Sequence, residues 1–168
     1  MAFIISLGTF ISFAEYEDVT ARDQRLFEAN EGLTEAVVEE LLEQGSQRVL
    51  TKIKATDWWK ESQFAYDSTL NRDARLVPVV DPLRIEGRQQ DFTDLTVYLT
   101  LTEYVLPKIA DFTDDGNADV KKIQFYKDKF DQLFKELIED GSWYDFDNSG
   151  TISTTEKRPS LVNLIRTR

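Results

Sequence analysis

Two stretches decide the fold of this chain: residues 34–53, TEAVVEELLEQGSQRVLTKI, and residues 118–139, ADVKKIQFYKDKFDQLFKELIE. Both carry apolar residues at the spacing that puts them on one face of a helix. The two stripes comprise Val37, Val38, Leu41, Leu42, Val49, Leu50 and Ile53, and Val120, Ile123, Phe130, Leu133, Phe134, Leu137 and Ile138. Thr34 stands where an N-cap is expected, and Asp140 and Gly141 where a helix ends. The sequence therefore predicts two long amphipathic helices, the first running through Gly45 and Ser46.

The remaining segments predict shorter elements around these two helices. Ser12 and Glu15 have the spacing of a capping box, which predicts a short helix starting there. We expect a second short helix at about 21–30, a partly ordered connection at 56–75 and an extended segment at 76–80. From Asp91 to Ile109 the helical period returns, with a kink expected at Pro107. The predicted fold is mainly α, a small helical bundle of two long and several short helices.

The C-terminal part has a different character. Aromatic and β-branched residues flank an Asn/Ser/Gly turn, which predicts a β-hairpin at about 141–154. We therefore divide the chain into a single helical domain, 1–156, and an extended basic tail, 157–168. Trp58 and Trp59 are adjacent, and we favour core packing for them over an exposed contact surface.

Composition excludes several classes of function. With 168 residues, 41% of them apolar, the chain can bury an ordinary core. It has no Cys and no His, so zinc, iron–sulfur, haem, thiol and Ser/His/Asp chemistry are excluded. The seven Gly residues form no phosphate-binding loop. We expect no enzyme, no catalytic residues and no bound cofactor, with hard oxygen-ligated cations such as Ca²⁺ or Mg²⁺ as the remaining metal options. We also expect no signal peptide and no membrane span.

Charge is unevenly distributed. The chain carries a net charge of −11. The tail contributes +4 from Lys157, Arg158, Arg166 and Arg168 and has no acid, so the other 156 residues carry −15. A basic tail on an acidic body indicates docking to a partner, although a solvated terminus has the same composition.

Residues 145–156, DFDNSGTISTTE, match the EF-hand calcium loop. Asp145, Asp147 and Ser149 occupy loop positions 1, 3 and 5, Gly150 lies at the sharp turn, and Glu156 is placed for bidentate ligation at position 12. The context is unfavourable, because Gly141 interrupts the incoming helix and Pro159 opposes an outgoing one. We therefore favour a simple turn or hairpin without metal, and keep a site of Asp145, Asp147, Ser149 and Glu156 as the alternative.

The second half of the chain, with DFTDLTVYLTLTEYVLPKIADF at 91–112 and QFYKDKFDQLFKELIEDGSWYDFDNSGTIS at 124–153, resembles the head–tail connector proteins of tailed bacteriophages, also called adaptor, head-completion or neck proteins. The resemblance implies a homo-oligomeric ring, typically of twelve subunits, under the portal protein. Such a ring joins the portal to the tail through a stopper or tail-terminator protein and lines the channel through which DNA passes.

The resemblance also implies a location in the virion neck after synthesis in the bacterial cytoplasm, with no membrane contact. Family members commonly use a C-terminal segment to engage the portal. Here that segment supplies the predicted partner-binding residues Lys157, Arg158, Leu161, Leu164, Ile165, Arg166 and Arg168. The N-terminal third has no specific match. A calcium-binding module built on residues 145–156 and a generic helical scaffold protein remain the alternatives.

Overall fold

The computed structural model describes residues 4–6, 9–24, 32–110 and 118–157. The described chain is mainly helical, as predicted. Its elements are β1 (Ile4–Ser6), β2 (Thr9–Ser12), α1 (Tyr16–Arg22), α2 (Glu35–Ala55), α3 (Asp57–Tyr66), α4 (Gln89–Thr100), a π-helical turn (Leu101–Val105), α5 (Leu106–Ile109) and α6 (Ala118–Asp140). Short 3-10 turns occupy Ser68–Leu70, Ala74–Leu76 and Pro82–Arg84. Among the described helices, none combines the length and the apolar character needed to cross a bilayer.

The chain divides into two compact units. Unit 1 comprises Met1–Val49 and Gln90–Leu133, and unit 2 comprises Leu50–Gln89 and Phe134–Arg168. The boundaries fall inside the long helices α2 and α6, so each of these helices supplies residues to both units. Amphipathic periodicity predicts that a helix is buried along one face, but not which part of it belongs to which core.

Unit 1 contains an apolar core and the β1–β2 pair. The two strands are antiparallel. The buried residues of this core are Ala14, Val19, Val38, Leu41, Leu42, Val97, Leu101, Val105, Leu106 and Tyr126. Helices α1, α2, α4, α5 and α6 contribute to it, as does the π-helical turn. Val38, Leu41 and Leu42 of the predicted apolar stripe of α2 therefore belong to the core of this unit, whereas Val37 of the same stripe is exposed.

Helix α2 is continuous through Gly45 and Ser46, which confirms the prediction of one long helix. A Cβ atom at Gly45 would lie 2.2 Å from Oγ1 of Thr100, so only glycine permits this approach. The Ser46 hydroxyl is buried, donates to the carbonyl oxygen of Leu42 at 2.9 Å and accepts the N–H of Phe13 at 3.0 Å. Both small residues are therefore explained by close packing inside unit 1.

The first helix begins later than the sequence predicted. Helix α1 starts at Tyr16, with Glu15 as its N-cap and Asp18 as the reciprocal member of the capping box. Ser12 instead ends β2, and its buried hydroxyl donates to the carbonyl oxygen of Ala14 at 2.9 Å. The predicted box was wrong because Ser12 is held by tertiary contacts. Most of the helix expected at 21–30 lies outside the described residues.

The interruption expected at Pro107 takes the form of a π-helical turn. Helix α4 passes into Leu101–Val105, and the N–H of Leu106 reaches back to the carbonyl oxygen of Leu101. The Thr102 hydroxyl donates to the carbonyl oxygens of Tyr98, at 2.6 Å, and Leu99, at 3.1 Å. In the stretch before Pro107, the wider turn thus satisfies the carbonyl oxygen of Leu101, and the Thr102 hydroxyl satisfies those of Tyr98 and Leu99.

In unit 2 the region at 56–75, which we predicted as a partly ordered connection, contains helix α3 and two 3-10 turns. The Thr56 hydroxyl caps α3 by accepting the N–H of Trp59 at 3.2 Å. Asp67, Asp73 and Asp81 cap the three 3-10 turns in the same way. This region has no helical periodicity over its full length, but capping side chains and buried aromatic residues stabilise its helix and turns.

Residues 77–81 belong to no helix or strand, and Val77 and Asp81 have extended backbone angles, whereas Leu76 of the extended segment predicted at 76–80 ends a 3-10 turn. Helix α6 ends at Asp140 as predicted, and Gly141 follows with φ +57°. The β-hairpin predicted at about 141–154 is wrong, because no strand forms within the described residues 141–157. The backbone N–H groups of this loop bond to carboxylates instead of to a facing strand.

Candidate functional site

The candidate site is the loop at residues 145–156, which begins from an anchored position. Tyr144 forms an isolated antiparallel bridge with Ile85. The N–H of Asp145 then donates to the carbonyl oxygen of Arg84 at 2.9 Å. The Arg84 guanidinium donates to the carbonyl oxygen of Phe146 at 3.2 Å. Residues 84–85 therefore hold the first two residues of the loop in place.

Glu156 closes the loop by accepting four hydrogen bonds. Its Oε1 accepts the N–H groups of Phe146, at 2.7 Å, and Asp147, at 3.0 Å. Its Oε2 accepts the N–H of Ser153 at 2.8 Å and the Ser153 hydroxyl at 2.7 Å. The residue is only 5% exposed. One carboxylate thus joins the two ends of the loop, ten residues apart in sequence.

Asp145 organises the middle of the loop. Its Oδ2 accepts the N–H of Gly150 at 2.7 Å, and its Oδ1 accepts the N–H of Ser149 at 3.3 Å. Asp147 Oδ1 also accepts the N–H of Ser149, at 2.9 Å. Asn148 and Gly150 adopt φ of +59° and +80°. These left-handed residues, both of types that tolerate such φ values, turn the backbone N–H groups inward towards the carboxylates.

Three of the four predicted metal ligands come together. Carboxylate oxygens of Asp145, Asp147 and Glu156 all lie within 4.8 Å of one another. Asp145 and Glu156 are buried and Asp147 is exposed. Ser149 differs, because its hydroxyl donates to the carbonyl oxygen of Thr151 at 3.0 Å. The oxygen types and their spacing suit a hard cation such as Ca²⁺.

The carboxylates of Asp145, Asp147 and Glu156 already accept hydrogen bonds from within the protein. Burial alone would raise the pKa of Glu156, but the hydrogen bonds from Ser153, Asp147 and Phe146 outweigh it and hold that pKa below its ordinary value. Glu156 is therefore ionised at neutral pH. The carboxylates of the loop therefore have a structural role, because they accept hydrogen bonds from its inward-facing N–H groups. The same carboxylates could also bind a cation.

An aromatic cluster in unit 2 supports this loop. The Trp59 ring centroid lies 4.8 Å from that of Tyr144, 6.0 Å from that of Phe146 and 6.5 Å from that of Trp143. The Trp59 indole N–H donates to the carbonyl oxygen of Pro78 at 3.0 Å. Trp58 is also buried. The prediction that both adjacent tryptophans pack in a core is confirmed.

Burial also affects a phenol in this cluster. It raises the pKa of Tyr144 to about 12, because a buried phenolate loses the hydration that stabilises its charge. The Trp143 indole N–H donates to the carbonyl oxygen of Leu137 at 3.1 Å. The Trp143 indole N–H is thus hydrogen-bonded and the Tyr144 phenol is uncharged at neutral pH, as expected of polar groups in a buried cluster.

Sequence reasoning missed the residues that position the loop from a distance. Gly87 is one of them, because a Cβ there would lie 2.8 Å from the carbonyl oxygen of Ser142 and 3.0 Å from Cα of Trp143. The N–H groups of Glu86 and Gly87 both donate to the carbonyl oxygen of Trp143, at 3.1 Å. These contacts join segments more than fifty residues apart, and nothing in either local sequence pairs them.

The predicted partner-binding tail is placed only at its start. Lys157 is described and exposed. The other predicted partner-binding residues lie outside the described residues, namely Arg158, Leu161, Leu164, Ile165, Arg166 and Arg168.

In comparisons with known proteins, no family model, no curated protein and no solved structure matches the chain.

Proposed function

We propose that this chain is a structural protein of a tailed-bacteriophage virion, a non-enzymatic head–tail connector of the neck. It assembles into a homo-oligomeric ring, with twelve subunits expected from the resemblance, beneath the portal protein. The ring joins the portal to a stopper or tail-terminator protein and surrounds the DNA channel. The observation that carries this proposal is the likeness of residues 91–112 and 124–153 to phage neck proteins. The mainly helical fold is compatible with it.

The charge distribution supports the same role. DNA passing through a ring must slide along the wall without binding to it, and an acidic wall repels phosphates. The 156 residues before the tail carry −15 of charge. The basic tail is then the part of the chain suited to an acidic surface on a protein partner, and we assign portal binding to residues 157–168.

Electron microscopy tests this proposal. Antibody against the purified protein, applied to virions of the phage that encodes it, should label the neck between head and tail. Particles made without the protein should contain packaged heads that lack tails. Labelling of another part of the virion, or normal tailed particles in the absence of the protein, would refute the connector role.

A second candidate function is calcium binding by the loop at 145–156. The observation that favours it is the convergence of the Asp145, Asp147 and Glu156 carboxylates within 4.8 Å, two of them buried. Three negative charges at this separation repel one another, and a divalent cation between them would relieve the repulsion. In this alternative the ion stabilises unit 2, and the protein need not be part of a virion.

Calorimetric titration with CaCl₂ tests this candidate. Binding at micromolar calcium that is lost in the Asp145→Ala, Glu156→Ala double variant, and retained in Asp131→Ala, would establish the site. Asp131 is an exposed acid of α6 outside the loop and serves as the matched control. No heat of binding at millimolar calcium, in a protein whose circular dichroism is that of a folded helical chain, would refute it.

A further inference from the structure

Helix α1 packs on the rest of unit 1 with little apolar burial. Val19 is the one residue of this seven-residue helix that is buried, and it belongs to the core of the unit. Helix α2, in contrast, contributes Val38, Leu41 and Leu42 to the same core. Because hydrophobic stabilisation grows with the apolar area removed from water, polar contacts carry a larger share of the free energy that holds α1 in place.

Polar contacts converge on the C-terminal end of α1. The guanidinium of Arg22, its last residue, donates to the carboxylate of Asp94 in α4. The same guanidinium carbon lies 5.8 Å from the centroid of the Tyr98 ring, also in α4. The Tyr126 hydroxyl of α6 donates to the carbonyl oxygen of Arg22 at 3.3 Å. Side chains of two other helices thus hold this end of α1.

Asp23, the C-cap of α1, adds a buried charge to this junction. Its side chain is 9% exposed, and the Lys122 ammonium of α6 lies 2.7 Å from its Oδ2. That Oδ2 atom is buried and has no hydrogen-bond partner within the described residues, so its charge is balanced by attraction to the ammonium. A buried carboxylate that loses its counter-ion is strongly unfavourable. The free energy of keeping Asp23 buried therefore depends on the charge of Lys122.

We propose that α1 is a strap closed by the charged contacts of Arg22 and Asp23, and that it opens by local unfolding while the rest of unit 1 stays folded. Elements with few buried apolar contacts are the ones that open at the lowest free energy. Opening removes Val19 from the core and uncovers the apolar surface on which it packs, so the open form has a contact surface that the closed form hides. This inference does not depend on the connector role, because it concerns the isolated protein.

Hydrogen exchange measured by mass spectrometry on the full chain tests the strap. Lys122→Met removes the counter-ion of Asp23 and keeps an aliphatic side chain, so the amides of Tyr16–Arg22 should exchange about tenfold faster or more. The amides of Val38–Leu42 in α2 should exchange as in the wild type. Lys121→Met is the matched control, since Lys121 is the exposed neighbour on α6, and it should change neither rate. Equal α1 exchange in the two variants, or equal acceleration in α1 and α2, would overturn the proposal.

Two further measurements separate closure by charge from closure by packing. The double variant Asp23→Asn, Lys122→Met has neither charge, and its α1 exchange should return to within about threefold of the wild type. Exchange as fast as in Lys122→Met alone would show that the packing of the lysine stem holds α1, and would overturn the proposal. In the wild type, raising NaCl from about 0.05 M to about 0.5 M should accelerate α1 exchange about threefold, because salt screens the charges. Exchange in α3, which buries Trp58 and Trp59, should not change with salt, and a salt-independent α1 would contradict the strap.

Discussion

Replacing Glu156 by Gln should destabilise unit 2 more than any other single isosteric change in the loop. Four donors converge on this carboxylate at 2.7–3.0 Å, and the residue is 5% exposed. The amide of Gln puts NH₂ where one carboxylate oxygen now accepts. If that NH₂ faces Ser153, the Ser153 hydroxyl can rotate to accept from it, but the Ser153 N–H loses its acceptor.

The cost follows from these contacts. One buried N–H without an acceptor costs about 1–3 kcal/mol, and the remaining bonds lose the strengthening that an ionised acceptor provides. We therefore expect the free energy of unfolding of unit 2 to fall by about 2–4 kcal/mol at pH 7. Because the folded-state pKa of Glu156 is lowered, its contribution is present above the ordinary pKa of about 4.3 and is lost as the pH falls through the folded-state value. The difference in free energy of unfolding between the wild type and Glu156→Gln should therefore become smaller as the solution is made acidic.

Urea unfolding followed by tryptophan fluorescence measures this change. The three tryptophans, Trp58, Trp59 and Trp143, all belong to unit 2, so their emission reports on that unit. The experiment is done in EDTA, so that only the loop's own hydrogen bonds contribute. Glu86→Gln is the matched control, since Glu86 lies in unit 2 with an exposed side chain. If Glu156→Gln and Glu86→Gln unfold within about 0.5 kcal/mol of each other, the assigned role of the carboxylate is wrong.

Three further predictions address the rest of the fold. Gly87→Ala should cost about 1–3 kcal/mol of stability in the same fluorescence assay because its Cβ meets backbone atoms. Gly32→Ala, whose Cβ meets nothing within 4 Å, should be nearly neutral when unfolding is followed by the helical circular dichroism at 222 nm. Ser46→Ala removes the buried hydroxyl that accepts the N–H of Phe13, so the urea midpoint of the helical circular dichroism at 222 nm should fall by the equivalent of about 1–3 kcal/mol. Burial raises the pKa of both Tyr126 and Tyr144 to about 12, so stability should be retained below pH 10 and lost as the pH rises towards 12. Absorbance at 295 nm should show phenols ionising in that range, and the Tyr126→Phe, Tyr144→Phe double variant should lose that late step.

Local patterns were sufficient to predict the long helices. The apolar stripes and end signals of α2 and α6 correspond to the observed Glu35–Ala55 and Ala118–Asp140, because helix formation and its termination depend on neighbouring residues. The burial of Trp58 and Trp59 followed from their size and apolar character. The clustering of Asp145, Asp147 and Glu156 followed from the loop motif, whose ligands all lie within twelve residues.

The wrong predictions have a common cause, which is contacts between segments distant in sequence. The capping box at Ser12 and the hairpin at 141–154 were predicted from neighbouring residues alone, and long-range contacts favour other structures there. Ser12 is held against Ser46, with 3.1 Å between the two hydroxyl oxygens, and the first loop residues bond to Arg84, sixty residues earlier in the chain. Order at 56–75 also depends on distant partners, since Trp59 bonds to Pro78 and stacks with Trp143.

The sequence by itself determined the helical class, the ends of the long helices, the charge of the tail and the set of carboxylates in the loop. Each of these depends on composition or on residues within a few turns of one another. The tertiary structure alone decided the division into two units, the exposure of Leu76, Val79 and Leu83, and the closing of the loop around Glu156. Those features depend on contacts between segments that are far apart in sequence, in which buried N–H groups find acceptors and apolar surfaces pack together. Because the free energy of such a contact depends on both segments, the local pattern of either one does not predict it.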